Sequence, residues 1–317
     1  MKTQTWKIGP EAQGERLDIY LTFEMPERSR SAIQKLIKDG QIKVNGKAAT
    51  VHRFLKEGDQ IDWSGAEATR KRVFKDEKPA APLPDIKDLI VEETADWIVL
   101  DKPTGLLVHA DSKDSDGTLV DLLVAHYPPL GKVGEDPERP GIVSRLDREV
   151  SGLIVVAKTQ AAFDSLKEQF AGREVRKQYL ALCHGALPDE EGDIKFRIAR
   201  STTQPRMAAR PVNEEEGKAA WTHYKVKERF KGATLAELEI LSGRTHQIRA
   251  HLHAMGCPII GDMLYKIKTT ERNVKAPRLM LQSVSLEFND PATGERKRFE
   301  LAPVPEFEQL SEEFRHS

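Results

Sequence analysis

The chain has 317 residues with 39% hydrophobic and 31% charged side chains, and its formal net charge is −1 at pH 7. This balance is typical of a soluble globular protein with a buried core, and the length allows one large domain or two smaller ones. The apolar runs are all shorter than the roughly 20 residues of a membrane-spanning helix, and the N-terminus lacks the apolar segment of a signal peptide, which argues against a membrane or exported protein.

The first 63 residues predict a small unit of two helices and a β-hairpin. Apolar residues at helical spacing around Leu17 indicate a first helix, and an apolar stripe over residues 33–37, ended by Gly40, indicates a second. The dipeptide Asn45-Gly46 predicts a tight hairpin turn, because both residues tolerate positive φ. The predicted order is therefore helix, helix, hairpin.

The N-terminal part carries a mild positive charge. Residues 1–80 hold 16 Lys and Arg against 12 Asp and Glu, whereas the whole chain has 49 against 50. The basic residues crowd around the second predicted helix and the turn: Arg28, Arg30, Lys35, Lys38, Lys43 and Lys47. They are either ordinary solvated surface residues or contacts to a polyanion.

This pattern resembles the alpha-L-type RNA-binding domain, a small fold shared with a small-subunit ribosomal protein. The residues that carry the resemblance are Arg16-Leu17-Asp18, Ser29-Arg30-Ser31, Gly40, Val44-Asn45-Gly46 and Gly58-Asp59. The resemblance implies a module that contacts phosphates and gives affinity without sequence selectivity. The residues expected to bind RNA in it are Arg28, Arg30, Lys35 and Lys43.

Residues 64–85 predict a linker, because a basic cluster is followed by closely spaced prolines that prevent regular structure. We therefore expect a small unit over residues 1–63 and a larger one over residues 86–317. The two cysteines, Cys183 and Cys257, lie in apolar context without a Cys-x-x-Cys pattern. They indicate reduced, packed thiols of a cytoplasmic protein.

The larger unit begins with a predicted strand over residues 97–100. A turn at Lys102-Pro103-Thr104-Gly105 leads into a second apolar segment, residues 106–109, which is predicted to be another strand. Thr118 is the predicted cap of a helix that ends before Pro128.

A charge-rich stretch, residues 141–152, follows and leads into a predicted buried strand over residues 153–157. Arg145 and Asp147 are two positions apart, so they point the same way in extended backbone. A carboxylate between two apolar segments is costly unless it is paired. Asp147 is therefore either part of a structural ion pair or a reactive group, and the stretch alone leaves both open.

The remaining elements complete an α+β pattern. They are a helix over 159–172, a strand in the second half of 173–183, strands over 221–226 and 235–240, a helix that opens at 243–249 with Thr245 as N-cap and ends at Gly256, and strands over 279–288 and 298–301. Residues 186–218 are predicted to be a variable surface region. Few strands alternate with helices, which favours a mixed, largely antiparallel sheet flanked by helices over a doubly wound fold.

Three histidines near the C-terminal half raise the question of a metal. His246, His251 and His253 are five and two residues apart, so one helical face cannot present all three. The glutamate of a zinc-protease motif and a cysteine pair are both missing from this stretch. We expect ordinary polar or stacking histidines and no metal. Phosphate-binding glycine loops and dinucleotide motifs are also missing, so no cofactor is expected.

Four motifs, in order, resemble those of the RluA-type pseudouridine synthases. They are Lys102-Pro103-x-Gly105, Arg145-Leu146-Asp147 with Ser151-Gly152, Lys177-x-Tyr179, and Gly243-Arg244-Thr245-His246-Gln247-Ile248-Arg249. The resemblance implies isomerisation of a uridine within RNA, without cofactor or metal. The N-glycosidic bond is broken, the uracil turns, and its C5 is joined to the sugar.

The resemblance also implies roles for individual residues. Asp147 would be the catalytic carboxylate, Tyr179 would stack on the flipped uracil and help to deprotonate C5, and Arg244 would pair with Asp147. Arg145 matches the position that fills the gap left by the flipped base. Lys102 would support the active-site loop as part of the substrate-binding set, and Leu281 would form an apolar wall of the pocket. Arg249 belongs to the last motif, and taken alone it has the alternative interpretation of an ordinary surface charge.

Three positions depart from the family pattern. Ser144 stands where the family usually has His, Val150 where Thr is frequent, and Gln282 where His is typical. These departures bear on loop geometry and on the choice of RNA target.

The expected target is large-subunit ribosomal RNA, with transfer RNA as the alternative and a monomer as the expected state. Two other classes stay open: a non-catalytic RNA-binding or ribosome-assembly protein, and a glycoside hydrolase. The hydrolase needs a second carboxylate, for which Glu149 is the nearest candidate.

Overall fold

The computed structural model describes residues 2–25, 28, 30–51, 53–65, 83–110, 117–204, 206–266 and 274–316. By its internal contacts the chain divides into two compact units. The first comprises residues 1–83 with the segments 110–116 and 134–140, and the second comprises the rest. Most of the predicted linker lies outside the described residues. In the described part of the chain, no helix combines the length and the apolar character needed to cross a membrane.

The first unit is a four-stranded antiparallel sheet with two helices. Its elements are β1 (Lys2–Lys7), a 3₁₀ helix (Pro10–Ala12), α1 (Leu17–Glu24), α2 (Arg30–Lys38), β2 (Ile42–Val44), β3 (Lys47–Ala48) and β4 (Gln60–Gly65). The strand order is β1-β4-β2-β3. The predicted helices and hairpin are confirmed, and Asn45 and Gly46 form the turn with φ of 52° and 73°. Ser29, one of the residues that carry the resemblance, lies outside the described residues.

Strand β1 was not predicted from the sequence. It pairs antiparallel with the whole of β4, from Lys2 opposite Gly65 to Lys7 opposite Gln60. Trp6 and Ile8 are its buried apolar anchors. Only the partner strand, more than fifty residues away, makes this short segment a strand.

The core of the first unit contains one fully buried carboxylate. Leu17, Leu21, Ile33 and other apolar residues surround Asp18 at the start of α1. Arg16 donates to both oxygens of Asp18, from Nε to Oδ1 at 3.1 Å and from Nη2 to Oδ2 at 3.0 Å. Gln34 Nε2 donates to Oδ2 at 2.8 Å. The hydrogen bonds offset the cost of burying the charge.

The second unit is larger and has its own core. Its helices are α3 (Ile86–Leu89), α4 (Leu119–His126), a 3₁₀ helix (Pro128–Lys132), α5 (Gln160–Gly172), α6 (Gln247–Ala254) and α7 (Pro305–Arg315). Its strands are β5 (Ile90–Glu93), β6 (Trp97–Lys102), β7 (Ser151–Ala157), β8 (Arg176–His184), β9 (Glu191–Ile194), β10 (Arg197–Arg200), β11 (Met207–Arg210), β12 (Lys218–Ala219), β13 (Thr222–Phe230), β14 (Ala233–Ile240), β15 (Leu281–Asn289) and β16 (Arg296–Glu300).

The main sheet has the order β5-β6-β7-β15-β8-β14-β13-β9, with β16 paired to β15. Strands β7 and β15 are parallel and the other pairs are antiparallel, which confirms the predicted mixed, largely antiparallel sheet. Strand β7 is buried along its whole length. Leu153 and Val155 belong to the core with α5, whereas Ile154 and Val156 belong to the core with α4, α6 and α7. Helices therefore cover both faces, as expected.

Residues 106–109 are not the strand that their apolar character predicted. Leu106 and Val108 are buried, but the backbone carbonyls of Leu107 and Val108 accept hydrogen bonds from the first amides of α4, at 2.8 and 3.0 Å. The segment is used to satisfy the start of a helix. Residues 186–218 also differ from the prediction, because they form β9 and the small sheet β11-β10-β12. Strands of two to four residues are too short to show a periodic pattern.

Candidate active site

Three segments meet at the ends of β6, β7 and α6. Lys102 at the end of β6 lies opposite Gly152 at the start of β7. Gly152 has a φ of 108°, and a Cβ there would lie 2.1 Å from the carbonyl oxygen of Ser283 on the parallel strand β15. Only glycine allows this close approach of two backbones. The approach fixes the loop before β7, which carries Asp147.

Asp147 lies at the edge of this loop, with its carboxylate in contact with a buried arginine. Arg249 Nη1 donates to Asp147 Oδ2 at 3.3 Å, and the side chains are 4% and 17% exposed, respectively. The same Nη1 lies 3.3 Å from Glu149 Oε2, and that side chain is half exposed. Arg249 therefore contacts Asp147 from the protein interior and leaves part of the carboxylate open to solvent.

Arg249 is itself held by a second, fully buried carboxylate. Asp262 accepts from Nε at 2.8 Å and from Nη2 at 2.9 Å, a bidentate pair that fixes the plane of the guanidinium. Burial would lower the pKa of Arg249, but the hydrogen bonds and charge of Asp262, together with the charge of Asp147, raise it overall. Burial would raise the pKa of Asp262, but its bonds to Arg249 lower it below its usual range. Both groups stay charged in the interior.

Tyr179 lies on β8, in register with Ser283 of β15, and is almost completely buried. Burial first, and the charge of Asp147 second, raise the pKa of this phenol well above its ordinary value. The phenol therefore keeps its proton and is unsuited to act as a base. Leu281, at the start of β15, is equally buried in the apolar core beside Ala181.

His246 completes the group around Asp147. Its Nε2 lies 3.9 Å from Asp147 Oδ2, and its Nδ1 lies 3.3 Å from the hydroxyl oxygen of Tyr265. The residue adopts a left-handed conformation, with φ of 53° and ψ of 25°, directly before α6. Thr245, the predicted N-cap, thus lies one residue too early. Burial lowers the pKa of His246 below its ordinary value.

Comparison with known proteins identifies the family of this chain. Residues 96–254 match the family described as RNA pseudouridylate synthase, and residues 15–61 match the S4 domain. The chain belongs to the RNA pseudouridylate synthase family. It is an RNA pseudouridine synthase with an N-terminal S4 RNA-binding domain, as the resemblance implied.

The similarity to individual relatives extends over almost the whole synthase. A protein of Bacillus subtilis named as an uncharacterised RNA pseudouridine synthase is 37% identical over 93% of this chain and 92% of its own length. The ribosomal large subunit pseudouridine synthase D of Xanthomonas campestris is 36% identical over 94% of this chain and 88% of its own length. The protein of the same name from Pseudomonas aeruginosa is 34% identical, over 93% and 90%.

Solved structures share the fold of the catalytic unit. Human RNA pseudouridylate synthase domain containing 4 superposes with a TM-score of 0.57 at 21% identity, over 73% of this chain and 94% of its own. Human RNA pseudouridylate synthase domain containing 1 superposes with a TM-score of 0.54 at 24% identity, over 72% of this chain and 95% of its own. The synthase thus has the fold of this family.

The expected pairing of Arg244 with Asp147 is corrected by the structure of the synthase. Arg244 is exposed, and its Nε donates to the carbonyl oxygen of Ala219 at 3.4 Å. The arginine that contacts Asp147 is Arg249, and its burial excludes the alternative interpretation as a surface charge. Arg244 precedes the left-handed turn at His246, whereas Arg249 follows it on the buried side of α6. One signal for Arg249 is its position between the apolar residues Ile248 and Leu252, both of which are buried.

Lys102 is corrected in part. Its side chain is fully buried, and Nζ donates to the carbonyl oxygens of Pro103 at 2.9 Å, Leu106 at 2.8 Å and Arg148 at 3.2 Å. Burial lowers its pKa to about 7, although the charges of Asp147 and Glu149 act in the opposite direction. Lys102 therefore ties the turn after β6 to the loop before β7, and its side chain does not lie on the surface of this structure.

Arg145 lies on the exposed side of the same loop, whereas Leu146 points into the core. Its Nη1 donates to Thr245 Oγ1 at 2.8 Å, across 100 residues of sequence. Arg145 is thus joined to the loop before α6. The loop before β7 and the loop before α6 are held together on their exposed side by this bond and on their buried side by Arg249.

Gln282, one departure from the family pattern, has a structural role. Its Oε1 accepts from the backbone amide of Val304 at 2.9 Å, and its Nε2 donates to the carbonyl oxygen of Ala302 at 3.2 Å. The side chain is buried and fixes the segment before α7. Gln282 is therefore explained in this structure by its contacts with the backbone of residues 302 and 304.

The other histidines have polar neighbours. His251 Nδ1 lies 3.0 Å from Thr222 Oγ1, and His253 Nε2 lies 3.4 Å from Arg206 Nη1. Among the residues that the structure describes, no three His, Cys, Asp or Glu side chains are grouped so as to hold a metal ion. Cys183 and Cys257 are buried, and their thiols donate to backbone carbonyl oxygens, Cys183 to Thr234 at 3.4 Å and Cys257 to Ala186 at 3.3 Å.

In the S4 domain, Lys35 and Lys43 are exposed, as RNA-binding residues must be. Arg28 is partly buried, with Cζ 4.8 Å from the centre of the Trp63 ring. The side chain of Arg30 lies outside the described part of the chain.

Proposed function

We propose that this synthase converts uridine to pseudouridine in large-subunit ribosomal RNA, with Asp147 as the catalytic carboxylate. The relatives from Xanthomonas campestris and Pseudomonas aeruginosa, which carry the ribosomal large subunit in their names and align over most of both chains, support the choice of RNA. The single observation that supports Asp147 is its contact with Arg249. A buried guanidinium, fixed by Asp262, holds the carboxylate from behind and leaves one side open.

The isomerisation requires one carboxylate held in position beside the sugar. The N1–C1′ bond breaks, the uracil turns, and its C5 forms a bond to C1′. Asp147 either attacks C1′, and so carries the sugar while the base turns, or removes the proton at C2′. Both routes need an oxygen fixed beside the sugar with its charge compensated on the far side. The Arg249–Asp262 pair supplies this arrangement before the substrate binds, so little reorganisation is required during the reaction.

Two further residues have roles that follow from base flipping. A uridine in paired or stacked RNA must leave its stack before Asp147 can reach the sugar. Arg145, exposed on the active-site loop, fills the space that the base leaves. Tyr179 packs against the flipped uracil as a protonated aromatic ring, and not as a base, because burial keeps its proton in place.

The S4 domain adds affinity for the phosphate backbone. Lys35 and Lys43 are exposed, and their cationic side chains can contact phosphates next to any base. Each neutralised phosphate releases counterions, so binding through this domain depends strongly on salt and weakly on sequence.

Mapping pseudouridine in RNA from cells that lack the protein tests the proposal. We expect one or more sites of large-subunit ribosomal RNA to lose pseudouridine, and the wild-type gene to restore them. Asp147→Asn should restore none. Asp164→Asn, which makes the same change on the exposed face of α5, is the matched control and should restore all. Loss of sites in transfer RNA alone would replace the proposed target, and an unchanged map in every RNA would refute the proposed function.

A further inference from the structure

We propose that His246 is a second catalytic residue of the synthase, the base that removes the proton from C5 after the uracil has been rejoined to the sugar. The inference rests on the proposed role of Asp147 at the same site. His246 is the group beside Asp147 that can exchange a proton with substrate and solvent. Nε2 lies 3.9 Å from Asp147 Oδ2, and the side chain is 21% exposed.

The hydrogen bonds of Tyr265 assign the tautomer of His246. The Tyr265 hydroxyl has one proton, which it donates to the carbonyl oxygen of Met207 at 3.0 Å. Its oxygen can then only accept from His246, whose Nδ1 is 3.3 Å away, so the imidazole proton is on Nδ1. Nε2 therefore carries the lone pair and faces the reactive side of the site.

The unusual backbone at His246 supports a functional constraint. A non-glycine residue in the left-handed region is strained, and such residues concentrate at active sites. His246 has this conformation. It occupies the N-cap position of α6, but its side chain makes no capping hydrogen bond to the helix. The Tyr265 ring, 5.8 Å away at 80°, packs edge-on against the imidazole. With this backbone conformation, the imidazole lies next to Asp147 and does not cap the helix.

Four other ionisable groups at the site are poorly suited to take this proton. Tyr179 is held protonated by burial. The Lys102 amine is fully buried and engaged by three backbone carbonyls. Arg249 is a permanent cation. Asp147 itself faces the sugar in the proposed function.

Charged groups from three segments face His246, and together they leave it neutral. Burial lowers its pKa, the charge of Asp147 on the loop before β7 raises it, and Arg249 on the same helix lowers it. Glu149 and Asp262 raise it further, but the pKa remains below the ordinary value. The imidazole is therefore available as a base at neutral pH.

The proton transfer balances without any other reagent. Once C5 is bonded to C1′, C5 carries both the sugar and its original hydrogen, and N1 is doubly bonded to C6. Nε2 takes the C5 proton, and the electron pair of the C–H bond becomes the C5=C6 double bond. The N1=C6 electron pair moves to N1, which takes a proton from water. The imidazolium then returns its proton to water, so the net change is an isomerisation.

The test is His246→Asn, assayed on RNA that carries hydrogen or deuterium at C5 of the target uridine. Asn tolerates the left-handed backbone and keeps a donor for Tyr265, but it cannot take up the proton. We expect kcat to fall about 100-fold while KM for RNA stays near wild type. Because cleavage of the C5–H bond becomes the slow step, we also expect a larger deuterium effect on kcat than in wild type. Asp147→Asn should give no product with either RNA.

Two results would overturn the role of His246. One is a kcat of His246→Asn close to wild type, and the other is a lower kcat with an unchanged deuterium effect. Tyr265→Phe is the second variant, which keeps the imidazole and removes the acceptor that fixes its tautomer. It should lower kcat about tenfold and raise the deuterium effect in the same direction, and an unchanged deuterium effect there would also count against the proposal. If wild type forms pseudouridine and Asp147→Asn does not, the proposed function stands whatever His246 does.

Discussion

The tripeptide Arg-Leu-Asp occurs once in each unit of the molecule, with opposite outcomes. In the S4 domain, Arg16 donates a bidentate pair of hydrogen bonds to Asp18, and this carboxylate is fully buried. In the catalytic unit, Arg145 bonds to Thr245, and Asp147 is partly exposed. The same three residues therefore form a closed ion pair in one place and an open carboxylate in the other.

The difference comes from the surroundings of each tripeptide. Asp18 lies in the first turn of α1 and is enclosed by the core, and its two oxygens accept hydrogen bonds from Arg16 and Gln34. Asp147 lies on a loop, and the cation that contacts it is Arg249 of α6, 102 residues away in sequence. Arg249 is held in place by a different carboxylate, Asp262. A carboxylate with saturated hydrogen bonds stabilises a fold, whereas one fixed on a single side can react.

The strongest test of this contrast exchanges Asp for Asn at both positions. Asp147→Asn should lower kcat by at least about 10³-fold, because the amide can neither carry the sugar nor take a proton. Its free energy of unfolding should change by less than about 1 kcal/mol, since the group is at the edge of the fold. Asp18→Asn should leave kcat near wild type and lower the stability of the S4 domain by about 3 kcal/mol. RNA turnover and urea unfolding measure both effects, and a stability loss at Asp147 with normal turnover would reverse the assignment.

The second prediction concerns the cation that Asp147 shares with the interior. Arg249→Met should lower kcat about 100-fold and lower the free energy of unfolding by about 3 kcal/mol, because Asp262 is left as an unpaired buried charge. The double variant Arg249→Met/Asp262→Asn removes the buried charge and keeps an oxygen for the amides of Leu264 and Tyr265, so it should regain part of the stability and none of the rate. A double-mutant cycle on unfolding and turnover separates the two effects. Recovery of turnover in the double variant would show that Arg249 acts only through stability.

The third prediction is the acid limb of the pH profile. Burial lowers the pKa of His246 below its ordinary 6.5, so kcat should fall about tenfold per pH unit once the pH drops through that lower value. In His246→Asn this limb should disappear. The same shift affects stability: just below pH 6.5 the unfolded chain binds the proton that the folded chain refuses, so His246 lowers stability as the pH falls through that window. An acid limb unchanged in His246→Asn would place the titration on another group.

The smallest effect is expected in the S4 domain. Lys35→Gln/Lys43→Gln should weaken RNA binding several-fold at about 0.1 M salt and reduce the slope of log K against log salt by about 1.5. Turnover at saturating RNA should remain at the wild-type level. Glu24→Gln, at the exposed end of α1, is a control for a change of surface charge. An unchanged salt slope would show that these lysines do not contact phosphates.

Sequence reasoning predicted most elements that carry their own local signals. The Thr118 cap has its capping box with Asp121, and α5 (Gln160–Gly172) agrees with the predicted helix over 159–172. The buried strand β7 and the Asn45-Gly46 turn also agree with the prediction. It failed for β1 and for β9 to β12, because short strands are defined by their partners. It also failed for residues 106–109, because the same apolar pattern serves a strand or a buried coil.

The sequence by itself determined that Asp147 stands in a charge-rich turn before a buried strand, within motifs of one family. Only the tertiary structure decided which arginine contacts it. Arg244 and Arg249 are equally plausible in a linear motif, and the left-handed residue between them sends one to the surface and the other to the interior. Side-chain direction depends on backbone turns and on partners such as Asp262. For this reason the loop could be predicted from the sequence, but the environment of its carboxylate could not.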